Sequence, residues 1–185
     1  MLRIIGGEYR HRHLEVPESE ECRPTMDKVR EAVFSSLGEK IINARFLDLF
    51  AGSGAVGLEA YSRGAKSVVF NEKDTMVMRT LVKNIASLDP ERRVCLTLKK
   101  NWTDAMVQLS ARGMSFDVVY LDPPYALDIN AEAIQRMREL GLIGPGSVVV
   151  AEQTTPLKEL EGFTLKAKKY GKKHVGIYVL GGAAE

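Results

Sequence analysis

The sequence predicts an α/β fold with a mostly parallel sheet, and two observations carry this prediction. Short apolar runs alternate with stretches of helical periodicity along most of the chain. The last two apolar runs, residues 163–170 and 174–180, are joined through Gly171-Lys172-Lys173 with no helix between them. Because parallel strands need a long crossover and antiparallel strands do not, this pattern predicts a terminal β-hairpin on an otherwise parallel sheet.

The composition fits one globular domain with a substantial core. The chain has 185 residues, of which 45% are hydrophobic, and a net charge of +2. We expect a single domain over residues 1–185, with a basic arm or hairpin at 1–22 and the core at 23–185. No run approaches the roughly 20 apolar residues of a membrane span, and the start lacks a signal-peptide pattern, so the sequence predicts a cytoplasmic protein. Cys22 and Cys95 have no partners at metal-ligand spacing, which predicts free thiols and no metal site.

The first 40 residues predict a short arm followed by a helix. Residues 3–13 combine basic side chains with an aromatic residue and a Gly-Gly turn, which favours a short hairpin or an extended arm. Thr25 is a candidate N-cap and Asp27 lies in the first turn, where a negative charge is favourable. Apolar residues then repeat at helical spacing up to Gly38, and these are Val29, Val33 and Leu37.

The middle of the chain predicts five strands with helices between them. An apolar run at 45–50 enters a glycine loop and leaves it on a helix-like stretch at 56–63, which stops at Gly64. A helix at 76–88 ends at Asp89-Pro90, because proline cannot continue a helix. The remaining predicted strands are 67–70, 94–98, 116–121 and 147–151, and the remaining predicted helices are one ending at residue 111 and one at 131–140.

The stretch from Asp48 to Gly57 predicts a site for a nucleoside-bearing cofactor. Its glycines let the backbone approach a ligand closely, and Glu72 follows where a carboxylate at a second strand tip can accept both ribose hydroxyls. Gly52-Ser53-Gly54-Ala55-Val56-Gly57 is also a literal G-x-G-x-x-G, so a nicotinamide oxidoreductase is one alternative. Asp48 argues against it, because a pyrophosphate at the helix N-terminus would be repelled by an acid there, whereas a cationic amino-acid portion would not.

Asp122-Pro123-Pro124-Tyr125 follows the predicted strand at 116–121 and suits transfer to an amine. A nucleobase amine is a poor nucleophile, because its lone pair is delocalised, and it needs acceptors for its hydrogens. Asp122 offers a carboxylate, and the prolines stiffen the turn. Tyr125 offers a face for a base taken out of its stack. Together with the glycine loop, this motif resembles the S-adenosylmethionine-dependent methyltransferases that modify exocyclic amines of nucleobases.

A closer resemblance spans nearly the whole chain. The segments that carry it, in order, are Arg3-Ile4-Ile5-Gly6-Gly7 with Tyr9-Arg10, Arg23-Pro24-Thr25 with Asp27-Lys28-Val29-Arg30-Glu31, Asp48-Leu49-Phe50-Ala51-Gly52-Ser53-Gly54, Ser62-Arg63-Gly64-Ala65 and Asp122-Pro123-Pro124-Tyr125. This pattern resembles the bacterial 16S ribosomal RNA guanine-N2 methyltransferases. The resemblance implies a Rossmann-like class I methyltransferase fold with a seven-stranded sheet and an antiparallel C-terminal hairpin. It also implies S-adenosylmethionine as cofactor and a monomer that acts on 16S ribosomal RNA in a partly or fully assembled small subunit.

The candidate site residues fall into three groups. The catalytic candidates are Asp122, Pro123, Pro124 and Tyr125. The cofactor candidates are Asp48, Phe50, Gly52, Ser53, Gly54, Glu72, Asn101 and Asp104, with Trp102 or Met106 against the adenine. The candidates for RNA contact are Arg3, Arg10, Arg12, Arg23, Thr25, Arg30, Lys172 and Lys173. Asn101 and Asp104 are alternatives for the adenine contact, with a helix N-cap formed by Asp104 or Thr103 as the structural interpretation. For the hairpin lysines the structural interpretation is protection of an edge strand.

Three other functions remain open on the residues alone. An adenine-N6 methyltransferase of DNA or RNA would use the same chemistry, although 185 residues leave little room for the recognition domain of a DNA-specific enzyme. An oxidoreductase would need a hydride-site acid or a Tyr-Lys pair, and no such pair is convincingly placed. An RNA-binding protein that has lost catalysis is the third, against which the intact Asp48, Glu72 and Asp122 argue.

Overall fold

The computed structural model describes residues 1–18, 27–124 and 127–182. These residues form one seven-stranded sheet in the order β3-β2-β1-β4-β5-β7-β6. The strands are β1 Arg45–Asp48, β2 Ser67–Asn71, β3 Cys95–Leu98, β4 Val118–Leu121, β5 Val148–Gln153, β6 Phe163–Tyr170 and β7 Lys173–Leu180. The helices are α1 Asp27–Leu37, α2 Ala55–Ser62, α3 Thr75–Leu88, α4 Trp102–Ala111 and α5 Asn130–Glu139, with a 3₁₀ turn at Gly38–Ile41.

The predicted fold class is confirmed. Strands β1 to β5 pair in parallel, and β7 pairs antiparallel with both β5 and β6. The boundaries differ from the sequence prediction mainly at β1, which ends at Asp48 because the chain there turns into the glycine loop. The apolar run at 45–50 continued past this point, and periodicity alone does not locate a strand's last hydrogen bond.

Two apolar layers hold the sheet between helices. Alternate strand residues point to opposite faces, so Phe46 and Val118 join a cluster with α1, α2 and α3. Their neighbours Leu47 and Val119 join a second cluster with α4 and α5. Both faces are therefore covered, which explains why consecutive residues of the central strands, such as Phe46 and Leu47 or Val118 and Val119, are apolar and do not alternate with polar residues.

The order of the strands reverses between β1 and β4. From β1 the chain proceeds outward through β2 to β3, then returns to the other side of β1 and proceeds outward again through β5. At such a reversal the connections diverge and leave a crevice at the carboxyl ends of the strands, which is where ligands bind in open α/β sheets. The ends of β1, β2, β4 and β5 carry Asp48, Glu72, Asp122 and Glu152 to this edge.

The N-terminal arm is a short antiparallel hairpin fixed to α2. Arg3 and His13 form an antiparallel bridge, and Leu2, Ile4 and Leu14 are buried in the core. The carboxylate of Glu59, on α2, accepts the backbone N–H groups of Ile5 and Gly6 at 2.9 and 2.8 Å. The arm is therefore a fixed part of the described structure, and its loop residues 10–13 lie at the surface.

Among the described residues, no helix is long and apolar enough to cross a membrane. In the same residues there is no group of three or more His, Cys, Asp or Glu side chains arranged to hold a metal ion. Cys95 is a buried free thiol, and Cys22 lies outside the described ranges.

Candidate active site

The glycine loop joins the end of β1 to the start of α2 and is braced by Asp48. Oδ2 of Asp48 accepts the backbone N–H of Gly57, in the first turn of α2, at 3.0 Å. Burial, together with the charges of Asp122, Glu72 and Glu152, raises the pKa of Asp48 to about 7, against the opposite effect of this hydrogen bond. A buried carboxylate next to other carboxylates favours a cationic ligand, because a positive charge would relieve the repulsion.

Glu72 holds the loop from the neighbouring strand. One of its oxygens accepts the N–H of Gly52 at 3.0 Å and the other accepts the N–H of Asp74 at 2.9 Å. Each carboxylate oxygen has two lone pairs, so both can accept a further hydrogen bond from a ribose hydroxyl. Gly52 and Gly54 have positive φ angles of 55° and 86°, which explains why the turn uses glycine.

The third glycine of the loop serves helix packing. A Cβ on Gly57 would lie 2.3 Å from a ring carbon of Phe70, on β2. Such a contact is far inside van der Waals distance, so α2 can lie this close to the sheet only with glycine at this position. Phe50, also a cofactor candidate, is half-buried against the core at the start of the loop, and Ser53 is buried.

Asn71 is a buried polar residue at the end of β2, and its hydrogen bonds explain why it is polar. Its side-chain amide donates to the carbonyls of Leu49 and Lys100 at 3.2 and 2.9 Å, and it accepts the N–H of Lys100. Asn71 is 2% exposed and so connects the ends of β1 and β3 through its own strand. This connection fixes the backbone immediately before Glu72.

Asn101 and Asp104 form the N-terminal cap of α4. Asn101 is the N-cap residue and accepts the N–H of Asp104 at 2.8 Å, and its amide donates to the Asp104 carboxylate at 3.0 Å. The cap is therefore Asn101, not Thr103 or Asp104 as the structural interpretation had it. Met106 is fully buried in the core, so of the two residues expected against an adenine ring only the half-buried Trp102 is accessible.

A second group of polar side chains follows β4, and Lys173 lies at its centre. The ammonium of Lys173 is 3.4 Å from each oxygen of Asp122 and 3.3 Å from Oε1 of Glu152. The hydroxyl of Tyr120 donates to Oε2 of Glu152 at 2.7 Å. Burial and the charge of Glu152 hold the pKa of Tyr120 well above its usual value, so the phenol stays protonated as a donor.

Sequence reasoning missed Glu152, which directly follows the predicted strand at 147–151. It is 1% exposed and lies at the end of β5, as Asp48 and Glu72 lie at or just beyond the ends of their strands. The available signal was an acid ending a run of four apolar residues, 148–151. Asn130 was also missed, and its amide donates to the Glu152 carbonyl and to Gln153, both at 3.0 Å.

A pocket opens beside Asp122 toward the surface. Its walls come from the turn after β4 and from the end of β5. The residues that line it are Asp122, Pro123, Pro124, Leu127, Asp128, Glu152, Gln153, Thr154 and Thr155. The pocket therefore offers carboxylate, amide and hydroxyl groups next to the proline turn.

The structure separates the candidates for RNA contact into three sets. Arg3, Arg10, Arg12 and Lys172 are exposed. Arg30 is fully buried, donates to the Arg3 carbonyl and to Asp27, and lies 3.4 Å from Glu59, so the expectation that it contacts RNA is corrected. Lys173 likewise directs its ammonium inward to Asp122 and Glu152. Arg23, Thr25 and the catalytic candidate Tyr125 lie outside the described residues.

The order of the strands and the acids at their carboxyl ends identify the class of protein. A parallel sheet with strand order β3-β2-β1-β4-β5-β7-β6 and an antiparallel β7 is the fold of the class I methyltransferases. The chain belongs to the family described as Conserved hypothetical protein 95, whose model matches residues 2–179.

Curated and solved relatives cover most of the chain. It is 38% identical over 151 residues to Ribosomal RNA small subunit methyltransferase D of Escherichia coli (strain K12), which covers 82% of this chain and 74% of that protein. It is 37% identical over 170 residues to the protein of the same name from Haemophilus influenzae, covering 91% and 88%. The solved structure of Escherichia coli yhhF matches with a TM-score of 0.85 at 34% identity and covers 97% of this chain and 98% of its own.

Proposed function

We propose that this protein uses S-adenosylmethionine to methylate the exocyclic N2 amine of a guanine in 16S ribosomal RNA of the small ribosomal subunit. One observation carries the proposal. The reversal point of the sheet brings a glycine loop braced by two acids, Asp48 and Glu72, to the same edge as the Asp122-Pro123-Pro124 turn. The relatives named as small-subunit ribosomal RNA methyltransferases support the substrate class.

The cofactor half of the site fits a cationic nucleoside. Gly52 and Gly54 form the left-handed turn of the loop, and Glu72 keeps lone pairs for ribose hydroxyls. Asp48 suits the positively charged methionine portion, since a cation would compensate its burial. Trp102, at the start of α4, is the candidate to pack on the adenine, with Asn101 or Asp104 as the polar contact. When bound, S-adenosylmethionine supplies a methyl group activated by its sulfonium.

The transfer half of the site suits a neutral amine. The amine nitrogen would use its lone pair to take this methyl group and would become positively charged, while the sulfur would keep the electron pair of the broken carbon–sulfur bond. Asp122 is 21% exposed at its side chain and can accept an N–H of the amine, which stabilises this charge as it develops. The surplus proton then passes to Asp122 or to water.

The acceptor groups of the pocket favour guanine over adenine. The edge of guanine that carries N2 presents two neighbouring donors, N1–H and the amine. Adenine presents an acceptor, N1, beside its amine. Asp122 and Asp128 both line the pocket and are acceptors when ionised, so they match the guanine edge better. The adenine-N6 alternative would place N1 of the base against a carboxylate.

Exposed cations of the arm and the hairpin suit an RNA partner. Arg10 and Arg12 lie in the loop of the arm, and Lys172 lies in the turn between β6 and β7. Lysine and arginine side chains bind phosphates without reading sequence, which positions an RNA and leaves the choice of base to the pocket. A ribosomal substrate would place the protein in the cytoplasm.

A methyl-transfer assay tests the proposal. The protein is incubated with labelled S-adenosylmethionine and small ribosomal subunits from cells that lack it, and the RNA is digested to nucleosides and identified by mass. We expect label in N2-methylguanosine. Purified 16S ribosomal RNA and DNA, assayed in parallel, distinguish a requirement for the assembled subunit from a different nucleic acid.

The other outcomes each contradict a defined part of the proposal. Label in N6-methyladenosine would retain the fold and the chemistry and reject the guanine assignment. Absence of label from ribosomes, RNA and DNA, with cofactor binding intact, would reject the methyltransferase activity and favour an RNA-binding protein that has lost catalysis. If S-adenosylmethionine also failed to bind, the result would favour the alternative that the glycine loop belongs to a nicotinamide oxidoreductase.

A further inference from the structure

Lys173 begins β7, a strand that follows the turn of the C-terminal hairpin, yet its side chain points into the site. Its side chain is 16% exposed, and its ammonium lies between a carboxylate at the mouth of the pocket and one that is fully buried. The neighbouring Lys172 is exposed in the turn. Two consecutive lysines of one hairpin therefore have different surroundings, and only the first faces solvent.

The distances show how Lys173 constrains Asp122. Its Nζ is equally far, 3.4 Å, from both oxygens of Asp122, so the ammonium faces the carboxylate symmetrically. On its other side it is 3.3 Å from Glu152, which is held in turn by the hydroxyl of Tyr120 at 2.7 Å. A chain of polar contacts thus runs from Tyr120 through Glu152 and Lys173 to Asp122.

The charges around Lys173 are mostly negative. The titratable groups that face this edge come from four strands and from the loop after β4. They are Asp48, Glu72, Tyr120, Asp122, Asp128 and Glu152. An ammonium between two of these carboxylates opposes the repulsion that would otherwise favour the protonated acid at Asp122.

We propose that Lys173 is a positioning residue for the methyl-transfer step, which holds the carboxylate of Asp122 ionised and oriented toward the amine of the target base. This inference rests on the proposed function, because it assigns Asp122 the role of acceptor. In this role Lys173 acts through its positive charge and gives up no proton to the substrate. Glu152 holds the ammonium on the side that faces away from Asp122.

The test compares a variant that removes the positive charge of residue 173 with one that keeps it. Lys173→Met keeps the length of the aliphatic side chain and removes the ammonium, and Lys173→Arg keeps a positive charge. In Lys173→Met we expect the acidic limb of the pH profile of kcat to shift to higher pH by about one unit. Without the neighbouring positive charge, the carboxyl group of Asp122 ionises only at higher pH. In Lys173→Arg we expect the limb to return toward its original position, and KM for the RNA to stay unchanged in both variants.

A second measurement is independent of methyl transfer. In protein without cofactor, with ¹³C-labelled aspartate, NMR follows the titration of the Asp122 carboxyl group, which we expect to move to higher pH in Lys173→Met. Lys40→Met removes a lysine at the amino ends of the strands and is the matched control. An Asp122 titration that does not move would overturn the inference.

The kinetic outcomes are equally decisive. A Lys173→Met variant that raises KM for RNA with its pH profile unchanged would place Lys173 in phosphate binding and overturn the positioning role. If the wild-type protein transfers no methyl group to any nucleic acid, the proposed function fails, while the NMR titration still decides whether Lys173 controls the ionisation of Asp122.

Discussion

Individual acids at the ends of strands define the chemistry of this edge. Asp48 is 3% exposed, and Glu152 is 1% exposed. Such groups are costly to bury as anions unless a cation or donors compensate them. Donors in the structure compensate part of this cost, since Gly57 donates to Asp48 and Tyr120 to Glu152. For Asp48, the cation of the bound cofactor is expected to supply the rest.

Asp48 leads to a pH-dependent prediction for cofactor binding. With a pKa of about 7, this carboxyl group is mostly protonated at pH 6 and mostly ionised at pH 8 in the free protein. A cationic cofactor favours the ionised form, so we expect the affinity for S-adenosylmethionine to increase as pH rises through 7. Calorimetric titrations at pH 6, 7 and 8 measure this dependence.

Asp48→Asn is the control for that measurement. The asparagine oxygen can still accept the N–H of Gly57, which preserves the brace of the loop. Any titration of the cofactor's own amino group affects both proteins equally. We therefore expect a weaker affinity with a smaller pH dependence in the variant, and an identical pH dependence in both proteins would contradict a role for Asp48 in binding the cation.

At the scale of elements, the arm, α1 and α2 are joined through one buried carboxylate. Glu59 is 0% exposed and accepts the N–H groups of Ile5 and Gly6. It also pairs with Arg63 at 2.8 Å and lies 3.4 Å from Arg30. The arm that carries Arg10 and Arg12 is thus held in place by a residue of α2, whose N-terminal end borders the glycine loop.

Glu59→Gln should destabilise the protein by roughly 3 kcal/mol, because it removes the negative partner of a buried arginine. Denaturant unfolding measures the change, and hydrogen exchange at Ile4 and Leu14, whose amides bond across the arm, measures loosening of the hairpin. Glu39→Gln, at an exposed position of the 3₁₀ turn, is the matched control. If the Glu59 variant were as stable as the control, the arm would not depend on this carboxylate.

The elements themselves were largely predictable, and most long-range polar contacts were not. Apolar runs and glycines predicted the strands, and the rule that ligands bind at strand ends placed Asp48 and Asp122 at one edge. Arg30 was read as an exposed cation because its partner Glu59 lies 29 positions away and no local pattern connects them. The signal was a lone acid within the apolar helix α2, which needs a partner if it is buried.

At the scale of the whole molecule, the cations at the surface and the acids inside the site have separate roles. The net charge is only +2, so the total charge gives no strong attraction to RNA. The candidate phosphate contacts are instead local, at the arm loop and the hairpin turn. The lysines of the hairpin cannot all be assigned to the surface from the sequence, since the ammonium of Lys173 lies inside the site beside Asp122 and Glu152.

Charge reversal on the arm should weaken RNA binding. In the double variant Arg10→Glu and Arg12→Glu, we expect lower affinity for the small subunit and a shallower dependence of log affinity on log salt, by about one unit of slope for each lost phosphate contact. The matched control is Arg112→Glu with Arg136→Glu, two exposed cations at the C-terminal end of α4 and in α5, the helices that cover the other face of the sheet. Equal salt slopes in wild type and the arm variant would remove the arm from the interface.

In this account the carboxyl ends of the strands form two half-sites, one for the cofactor at β1 and β2 and one for methyl transfer at β4 and β5. The most direct test is Asp122→Ala, with methyl transfer and cofactor affinity measured in one preparation. We expect single-turnover methyl transfer to fall by at least about 100-fold, because the acceptor for the amine is lost, while the affinity for S-adenosylmethionine stays close to that of wild type. Transfer at the wild-type rate would contradict the role of Asp122, and loss of cofactor affinity in step with transfer would contradict the division of the site.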